Sequence, residues 1–565
     1  MSKKVRALHE KREFIDVREM VEFVGEEFKD RIAFKFRKKP HDKEPISISY
    51  PEFRENIRSL ATEMHSMDLQ GKHCIVIGKH TYGWIRLYFS LLSVGAVLVP
   101  LDRDWAEEDL IDTVAKADAS YIFADLDIKE KVTNIAAATG TAAPIWIDGE
   151  GEGSLDAMQA SGKARLDAGD RTYFDAKVDT DALSCLVFTS GTTGKGKGVM
   201  LSQTNILVDM AEIVPYIDFS VKCMAVLPPH HTYGSTVALL GQTSIGCNVY
   251  VSAGIKYILR EINDHKPGHL VVVPLYVETF HRRIMAGIKD SGKEGLVKFM
   301  MKVSNLLRKV GIDLRRKLFK SILDKFGGEI NMLITGGAPI NQEVIDTFDA
   351  IGITVLNGYG ITECAPLISV NHNRFINKGS VGPALPVDTI KIDEPNEDGE
   401  GEILVKGPNV MLGYYKNEEA TRDAFDEDGF FRTGDYGKLD KNNVIYITGR
   451  KKNLIILSNG KNVYPEEIES EISATPGVLD IIVYEGQSKR GMEHNAIVAE
   501  IYPDKEYLEK NGITDAQKYF QEYVDKYNRT AVPYKKVQVL RVRDEEFPKN
   551  TLRKILRFKL DMTID

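Results

Sequence analysis

A large layered α/β N-terminal domain followed by a small α+β C-terminal domain is the architecture this sequence predicts, on three observations. Apolar runs of strand length alternate with helix-period segments as far as Pro339. After Gly379 the texture turns to short strands punctuated by Gly, Pro and Asp, and the roughly hundred residues beyond Arg450 mix strands and helices again. A chain of 565 residues is too long for one ordinary core, and a hydrophobic content of 43% is enough to fill two or more.

The elements follow in order. Ile48 to Met64, ISYPEFRENIRSLATEM, opens as a strand and continues as an amphipathic helix; HCIVIG (73–78), a helix through Trp84 to Leu92, and AVLVPL come next. The alternation continues through SYIFAD, CLVFTS, VKCMAVLP, GHLVVVP and NMLITGGAP, the pattern of a largely parallel sheet whose following loops gather at one edge. Residues 293–325 carry about ten basic and three acidic side chains with apolar residues at helical spacing. They read as a solvated helical hairpin packing its Leu, Ile and Val face on the large domain, with contact to an anionic membrane surface as the competing reading. GSVGPALPVDTIKID and GEILVKGPNVMLGYY read as a β-rich subdomain, and Pro465 with two following glutamates suits a helix's first turn. Strands near Ile481 and Ala496 and a helix over 517–526 complete the small domain, whose boundary falls at Arg450 to Lys452.

Composition excludes several function classes. The formal net charge of −8 argues against nucleic acid as a general partner. The five cysteines, Cys74, Cys185, Cys223, Cys247 and Cys364, lack C-x-x-C spacing and suggest neither a disulfide framework nor a zinc site, so a reducing cytoplasm fits. The first twenty residues lack the apolar core of a signal peptide, and the longest apolar stretch, Leu87 to Leu101, is too short to span a bilayer, so a soluble or membrane-peripheral protein is expected.

The chemistry concentrates in LVFTSGTTGKGKGVML (186–201), an apolar run feeding a loop of glycines, hydroxyls and lysines. Gly191 and Gly194 let backbone N–H groups turn inward; Thr189, Ser190, Thr192 and Thr193 offer short donors, and Lys195 and Lys197 supply positive charge, a composition suited to phosphate. A P-loop reading fits Gly191, Gly196 and Lys197 but fails at Gly198, where the magnesium-binding hydroxyl belongs. Thr189 to Gly198 instead reproduces T-S-G-T-T-G-x-x-K-G, and LPPHHTYG, TGGAP, NGYGITE, FRTGD, TGRKKNLI and a C-terminal lysine segment follow in order. In these motifs the chain resembles the adenylate-forming (AMP-binding) superfamily of acyl-CoA synthetases, peptide-synthetase adenylation domains and luciferases, over nearly its whole length.

That resemblance implies a fold with two α/β subdomains and a β-rich subdomain in residues 1–450, and a mobile lid domain in residues 451–565 hinged near Lys452. It implies ATP, Mg2+ and CoA as cofactors and cosubstrates. Joining a carboxylate to the α-phosphorus of ATP brings two anions together, so the site needs cations, a metal and fixed donors rather than a protein nucleophile. By resemblance Glu363 is the magnesium ligand, Thr362 touches the α-phosphate, Tyr359 in Asn357-Gly358-Tyr359-Gly360 faces adenine, and Gly336, Gly337 and Ala338 run along the purine. Asp435 suits a ribose diol because a carboxylate accepts from both hydroxyls. Arg450 adds donors near ribose or phosphate, although outside the family context a surface salt bridge is the natural reading. Lys554 takes the place of the family's final lysine, in a segment where Leu552-Arg553 replaces Ser-Gly; Lys549 and Arg553 are the other candidates.

For the acid, His231, Tyr233 and Gly234 occupy the position where relatives shape the acyl pocket; Tyr233 could gate an aliphatic tunnel, Gly337 borders the same pocket, and Gly234, Gly241 and Gly246 leave room for a long chain. The adjacent His230 and His231 lack a third ligand at useful spacing, so they are not read as a metal site. Ser458 and Gly460, in LSNGKN, could line the approach of a pantetheine thiol or form a plain hairpin turn. The wording of the motifs resembles bacterial long-chain fatty acyl-CoA ligases most. Transfer of the acyl group to a carrier protein is the nearest alternative, an aryl-acid CoA ligase the next, and a nucleotide or acyl-adenylate binding protein without turnover the reading from another class. Oligomeric state is not legible.

Overall fold

In a computed structural model, residues 7–189, 196–457, 462–488, 495–549 and 555–564 are described. Among them two large sheets lie side by side. The first runs Gly413–Tyr414, Lys197–Ser202, Leu183–Thr189, Val97–Leu101, His73–Ile77, Tyr121–Ala124, Ile145–Trp146, parallel from Leu183–Thr189 onward. Its strand His73–Ile77 shows why such segments are apolar throughout. Cys74 and Val76 point into the main core, while Ile75 and Ile77 join a second cluster with Leu110, Val114, Val132 and Ile135. With helices on both faces, a period of two still operates, but both phases are hydrophobic.

The second sheet runs Leu367–Val370, Thr354–Gly360, Met332–Thr335, His269–Val272, Lys222–Ala225, Asn248–Val251, Ile32–Phe36, Ile46–Ser49. Its interior is parallel and its two edge pairs are antiparallel. Both sheets share the main core, so they form one unit. A four-stranded antiparallel sheet, Thr389–Asp393, Gly401–Lys406, Phe431–Leu439, Ile445–Arg450, follows. The sheet Val478–Gly486, Ala496–Pro503, Val539–Val542 builds a separate core with the helices Pro465–Ser473 and Ala516–Thr530, centred on Ile468, Val483, Ala499 and Phe520. This is a large mixed α/β body with a small α+β unit. Among the described residues few polar contacts tie that unit to the rest: Asn341 Nδ2 donates to the Ser470 carbonyl at 2.9 Å, Lys289 Nζ to Asn511 at 2.8 Å, and Lys510 pairs with Asp290 at 3.0 Å.

The basic stretch departs from the expected hairpin. It forms the helix Glu294–Lys309, then two single-turn helices, Arg315–Leu318 and Lys320–Leu323. Val297, Met300, Met301, Leu318 and Ile322 pack against the core and Ser304, Phe319 and Leu323 are buried, so part of the expected face does pack, but Leu296, Val303 and Leu306 of that face are left outside, as is Phe299.

One helix anchors several layers at once. Gln203–Ile213 begins with a reciprocal cap, Ser202 Oγ accepting from Asn205 N and Asn205 Oδ1 accepting from Ser202 N, a device worth about 1 kcal/mol. Asn205 Nδ2 also donates to the Pro408 and Val410 carbonyls, and Asp209 accepts from Leu367 N at 2.8 Å. Burial raises the Asp209 carboxyl well above the usual range. Nearby, Asp388 accepts from Asn409 Nδ2 at 3.1 Å, its Oδ1 lacks a partner among the described residues, and burial pushes it up to about 7. The folded protein therefore holds this proton more tightly than the unfolded chain, and stability falls as pH rises from the ordinary carboxyl range through about 7. Asp388→Asn should remove that loss: thermal denaturation is expected to show a gain on the order of a few kcal/mol at pH 8 that shrinks toward pH 4. A gain independent of pH would rule out the buried acid as its cause.

Candidate active site

The glycine-rich loop joins two paired strands. Leu183–Thr189 and Lys197–Ser202 are antiparallel with Thr189 opposite Lys197, and Thr189 Oγ1 donates to the Lys197 carbonyl at 3.4 Å. Gly196 must be glycine here, since a Cβ would fall 2.7 Å from the Thr189 carbonyl oxygen. Ser190, Gly191, Thr192, Thr193, Gly194 and Lys195 lie outside the described residues. The two strand ends that flank them, Thr189 and Lys197, line a cavity of about 2520 Å³ together with residues from every other sheet.

Tyr359 and Asp435 meet across two sheets. Tyr359 lies on Thr354–Gly360, whose approach to its neighbour is so close that a Cβ at Gly360 would sit 1.9 Å from the Pro366 carbonyl oxygen. Its hydroxyl donates to Asp435 Oδ2 at 2.7 Å, and Arg450 Nε pairs with Asp435 Oδ1 at 3.0 Å. Asp435 and Arg450 face each other across Phe431–Leu439 and Ile445–Arg450. Asp435 is buried, so its charge requires such partners. Its negative charge raises Arg450 further, and burial followed by Asp435 raises the Tyr359 phenol. Arg450 is thus the buried carboxylate's partner rather than a surface bridge.

Next to them, Met332–Thr335 ends at Gly336, Gly337 and Ala338. A Cβ on Gly336 would meet the Gly358 carbonyl at 3.1 Å, and Gly337 has φ +84°, where a side chain is strained. Asn357 pairs with Thr335 across the sheet, and its Oδ1 is buried with no partner among the described residues. Gly337, Ala338, Asn357, Gly358, Tyr359 and Gly360 all line the cavity.

Thr362 and Glu363 occupy a tight turn, Thr362–Cys364, beyond Gly360. The Glu363 carboxylate accepts from Tyr414 OH at 3.0 Å, and the Tyr414 ring lies 4.6 Å from Lys197 Nζ. Tyr414 thereby couples the acid to the phosphate-loop hairpin. Sequence reasoning missed it: GYY was read as part of a short strand of the β-rich subdomain, and only its pairing with Val199 reveals the role.

On the acyl side, His231 is half-buried at the cavity wall, its ring centroid 4.3 Å from that of His230. His230 Nε2 is 3.8 Å from Asp102 Oδ2. Tyr233 is held rather than swinging, because its hydroxyl lies 3.2 Å from both the Val272 and the Ile334 carbonyl oxygens. The glycines expected to open a tunnel do not do so. A Cβ at Gly234 would lie 2.2 Å from the Pro228 carbonyl oxygen, at Gly241 2.3 Å from Met210 Sδ, and at Gly246 2.6 Å from the Phe28 ring. Neighbouring atoms occupy that space, so these residues permit close packing rather than a vacant channel.

A further cluster, Cys223, Cys247 and His269, has metal-ligand composition, but Ser220 N donates to His269 Nδ1 at 3.1 Å and Gln242 Oε1 lies 2.7 Å from Nε2. Both ring nitrogens are engaged, which makes the cluster structural.

Lys452 sits in the one-turn helix Lys451–Asn453, directly after Arg450 and beside the cavity, while Lys451 pairs with Glu402 at 2.7 Å. Ser458, Gly460 and Lys554 lie outside the described residues, as does Arg553. Lys549, the other lysine of its segment, is paired with Asp480 at 2.6 Å and Glu546 at 2.8 Å. Thus Thr189, Lys197, Gly337, Tyr359, Thr362, Glu363, Asp435, Arg450, Lys452, His231 and Tyr233, separated by more than 250 residues of chain, border one cavity.

The chain is 27% identical over 458 residues to long-chain-fatty-acid–CoA ligase FadD15 of Mycobacterium bovis, covering 77% of this chain and 75% of that protein. It is 26% identical over 568 residues to the chloroplastic long-chain-fatty-acid–[acyl-carrier-protein] ligase AEE15 of Arabidopsis thaliana, covering 86% of this chain and 76% of that protein. The fold is similar to that of ATP-bound MatB from Rhodopseudomonas palustris, with TM-score 0.73, 24% identity, and coverage of 96% of this chain and 98% of that one. The AMP-binding enzyme family model matches residues 21–415, and the chain belongs to that family.

Proposed function

We propose that the protein is an AMP-forming long-chain fatty acid:CoA ligase. The carrying observation is the convergence of Tyr359, Asp435, Arg450, Thr362, Glu363 and the Thr189–Lys197 hairpin on one cavity, joined to the relatives' acid:thiol ligase names.

In this reading adenine lies along Gly336 to Ala338 and the Tyr359 ring, its amino group donating to the buried Asn357 Oδ1. The ribose hydroxyls donate to Asp435, which they share with Tyr359 and Arg450. Thr189, Lys197 and the loop between them hold the β- and γ-phosphates. Glu363 offers a hard oxygen ligand, already oriented by Tyr414, so the donor set fits Mg2+, which when bound supplies charge neutralisation on the phosphates.

A carboxylate oxygen of the fatty acid then attacks the α-phosphorus, the bond to the β-phosphate oxygen breaks, and pyrophosphate leaves. Lys554 and Thr362 carry charge and a donor to that phosphate, and His231 and Tyr233 border the acyl chain. The chain's contribution is positioning and electrostatics, with no covalent protein intermediate. Residues 451–565 act as a lid domain turning about Lys452, so that a thiol approaching past Ser458 and Gly460 displaces AMP from the acyl adenylate. CoA is the proposed thiol. The relative that names a carrier protein instead spans the larger share of this chain, which makes a phosphopantetheine carrier the second reading.

Pyrophosphate release across an acyl chain-length series, with and without CoA, with products followed by mass spectrometry, tests both. The expected result is turnover that needs CoA, peaks on long chains and yields acyl-CoA and AMP; acylation of a carrier protein but not of CoA would replace the first reading with the second. Lys554→Ala should lower acyl-adenylate formation by at least ~100-fold while leaving thioester formation from supplied acyl-AMP nearly intact, and equal loss in both half-reactions would refute the assignment. Glu363→Gln should raise the magnesium concentration needed for half-maximal adenylation roughly tenfold or more, a shift checked by titrating Mg2+ at fixed ATP.

A further inference from the structure

The helix Glu294–Lys309 has two apolar faces, and the protein covers only one. At 100° per residue, Val297, Met300, Met301 and Ser304 fall on the side packed against the large domain. Leu296, Phe299, Val303, Leu306 and Val310 fall on the opposite side in an alternating three-four spacing, and they are 55%, 63%, 37%, 65% and 71% exposed. Ile312, just beyond the helix, is 47% exposed as well. Scattered exposed apolar residues are ordinary, but a continuous row of this kind is not.

The charges around the row are divided by type. The arginines hold the segment to the domain: Arg308 and Arg315 pair with Asp349 at 2.5 and 2.8 Å, and Arg316 donates to the Ile330, Gly352 and Gly328 carbonyls. Lys298, Lys302 and Lys309 are exposed along one flank of the apolar row. Lys298 pairs with Glu294 on the surface, whereas Lys293, Lys302, Lys309 and Lys317 have no ion pair among the described residues. A chain with net charge −8 thus concentrates positive charge beside its exposed apolar row.

We propose that the outer face of helix Glu294–Lys309 seats the protein on an anionic lipid surface. An apolar row flanked by lysines is the pattern of a helix lying in a membrane interface, where the row enters the acyl boundary and the lysines meet lipid phosphates. A second copy of the chain is a poorer occupant, because an antiparallel two-fold pairing of this helix would bring the lysine flanks to the same side. No helix among the described residues is long and apolar enough to cross a membrane, so the contact is peripheral. Its use follows from the proposed fatty acid reading: the preceding helix, Pro274–Asp290, and Glu294 itself line the cavity through Met285, Lys289 and Asp290, so a seated helix brings the cavity rim to the surface where long-chain acids dissolve.

The test measures binding without turnover, so it stands or falls apart from the catalytic reading. The full chain is sedimented with vesicles of phosphatidylcholine containing phosphatidylglycerol, and with vesicles of phosphatidylcholine alone. Partitioning onto the anionic vesicles is expected to be at least tenfold stronger and to weaken as salt rises, a comparison that needs no variant. Phe299→Ser combined with Leu306→Ser, and separately Lys302→Gln combined with Lys309→Gln, should each reduce it about tenfold with unchanged melting temperature. Protein that stays in the supernatant with anionic vesicles, equal binding to both vesicle types, or variants that bind like the parent would overturn the proposal. So would a dimer in light scattering that the Phe299 and Leu306 changes dissociate while no vesicle binding occurs.

Discussion

A buried carboxylate ties the layers of the candidate site together. Asp435 is almost wholly removed from water, and an ionised acid in that position is tolerated only with partners supplied. One partner, Tyr359, comes from the second large sheet, and the other, Arg450, from the strand that ends where the C-terminal unit begins. The same contact therefore ties two sheets together and holds the end of the strand that leads toward the small unit. Glu363, Tyr414 and Lys197 form a second such set in the same cavity, where a phenol takes the acid on its hydroxyl and the cation on its face.

Backbone crowding does comparable work. Gly196, Gly336 and Gly360 sit where carbonyl oxygens approach within the volume a side chain would fill, so main chain packs closely beside the cavity, which Gly360 lines. That favours recognition of flat or anionic groups by peptide edges. The glycines after Tyr233 look alike in sequence but differ in use, since Pro228, Met210 and Phe28 fill the space beside them. Composition alone does not distinguish a glycine that clears room for a ligand from one that lets the protein pack on itself.

The small C-terminal unit has its own core and is joined to the body by few polar contacts. Such a boundary resembles a transient interface more than a continuous core, which is compatible with reorientation. The basic helix Glu294–Lys309 differs from both units in leaving a hydrophobic face uncovered, while Arg308 and the Arg315 and Arg316 that follow it are tied to the large domain.

Much of this was legible in the sequence, because it depends on local patterns. Alternating apolar runs announced the parallel strands, and the order of short motifs from Thr189 to Arg450 announced the family and the residues that border the cavity. What only the tertiary structure decided are pairings between distant segments. Arg450, its side chain still partly exposed, is engaged by a buried acid, Tyr414 lies between Lys197 and Glu363, Tyr233 is anchored on two strand ends, and Leu296 and Phe299 face outward although their spacing equally suited a core. The reason is physical: periodicity states that a residue lies on a face, whereas what that face meets depends on chain closure between residues tens to hundreds of positions apart.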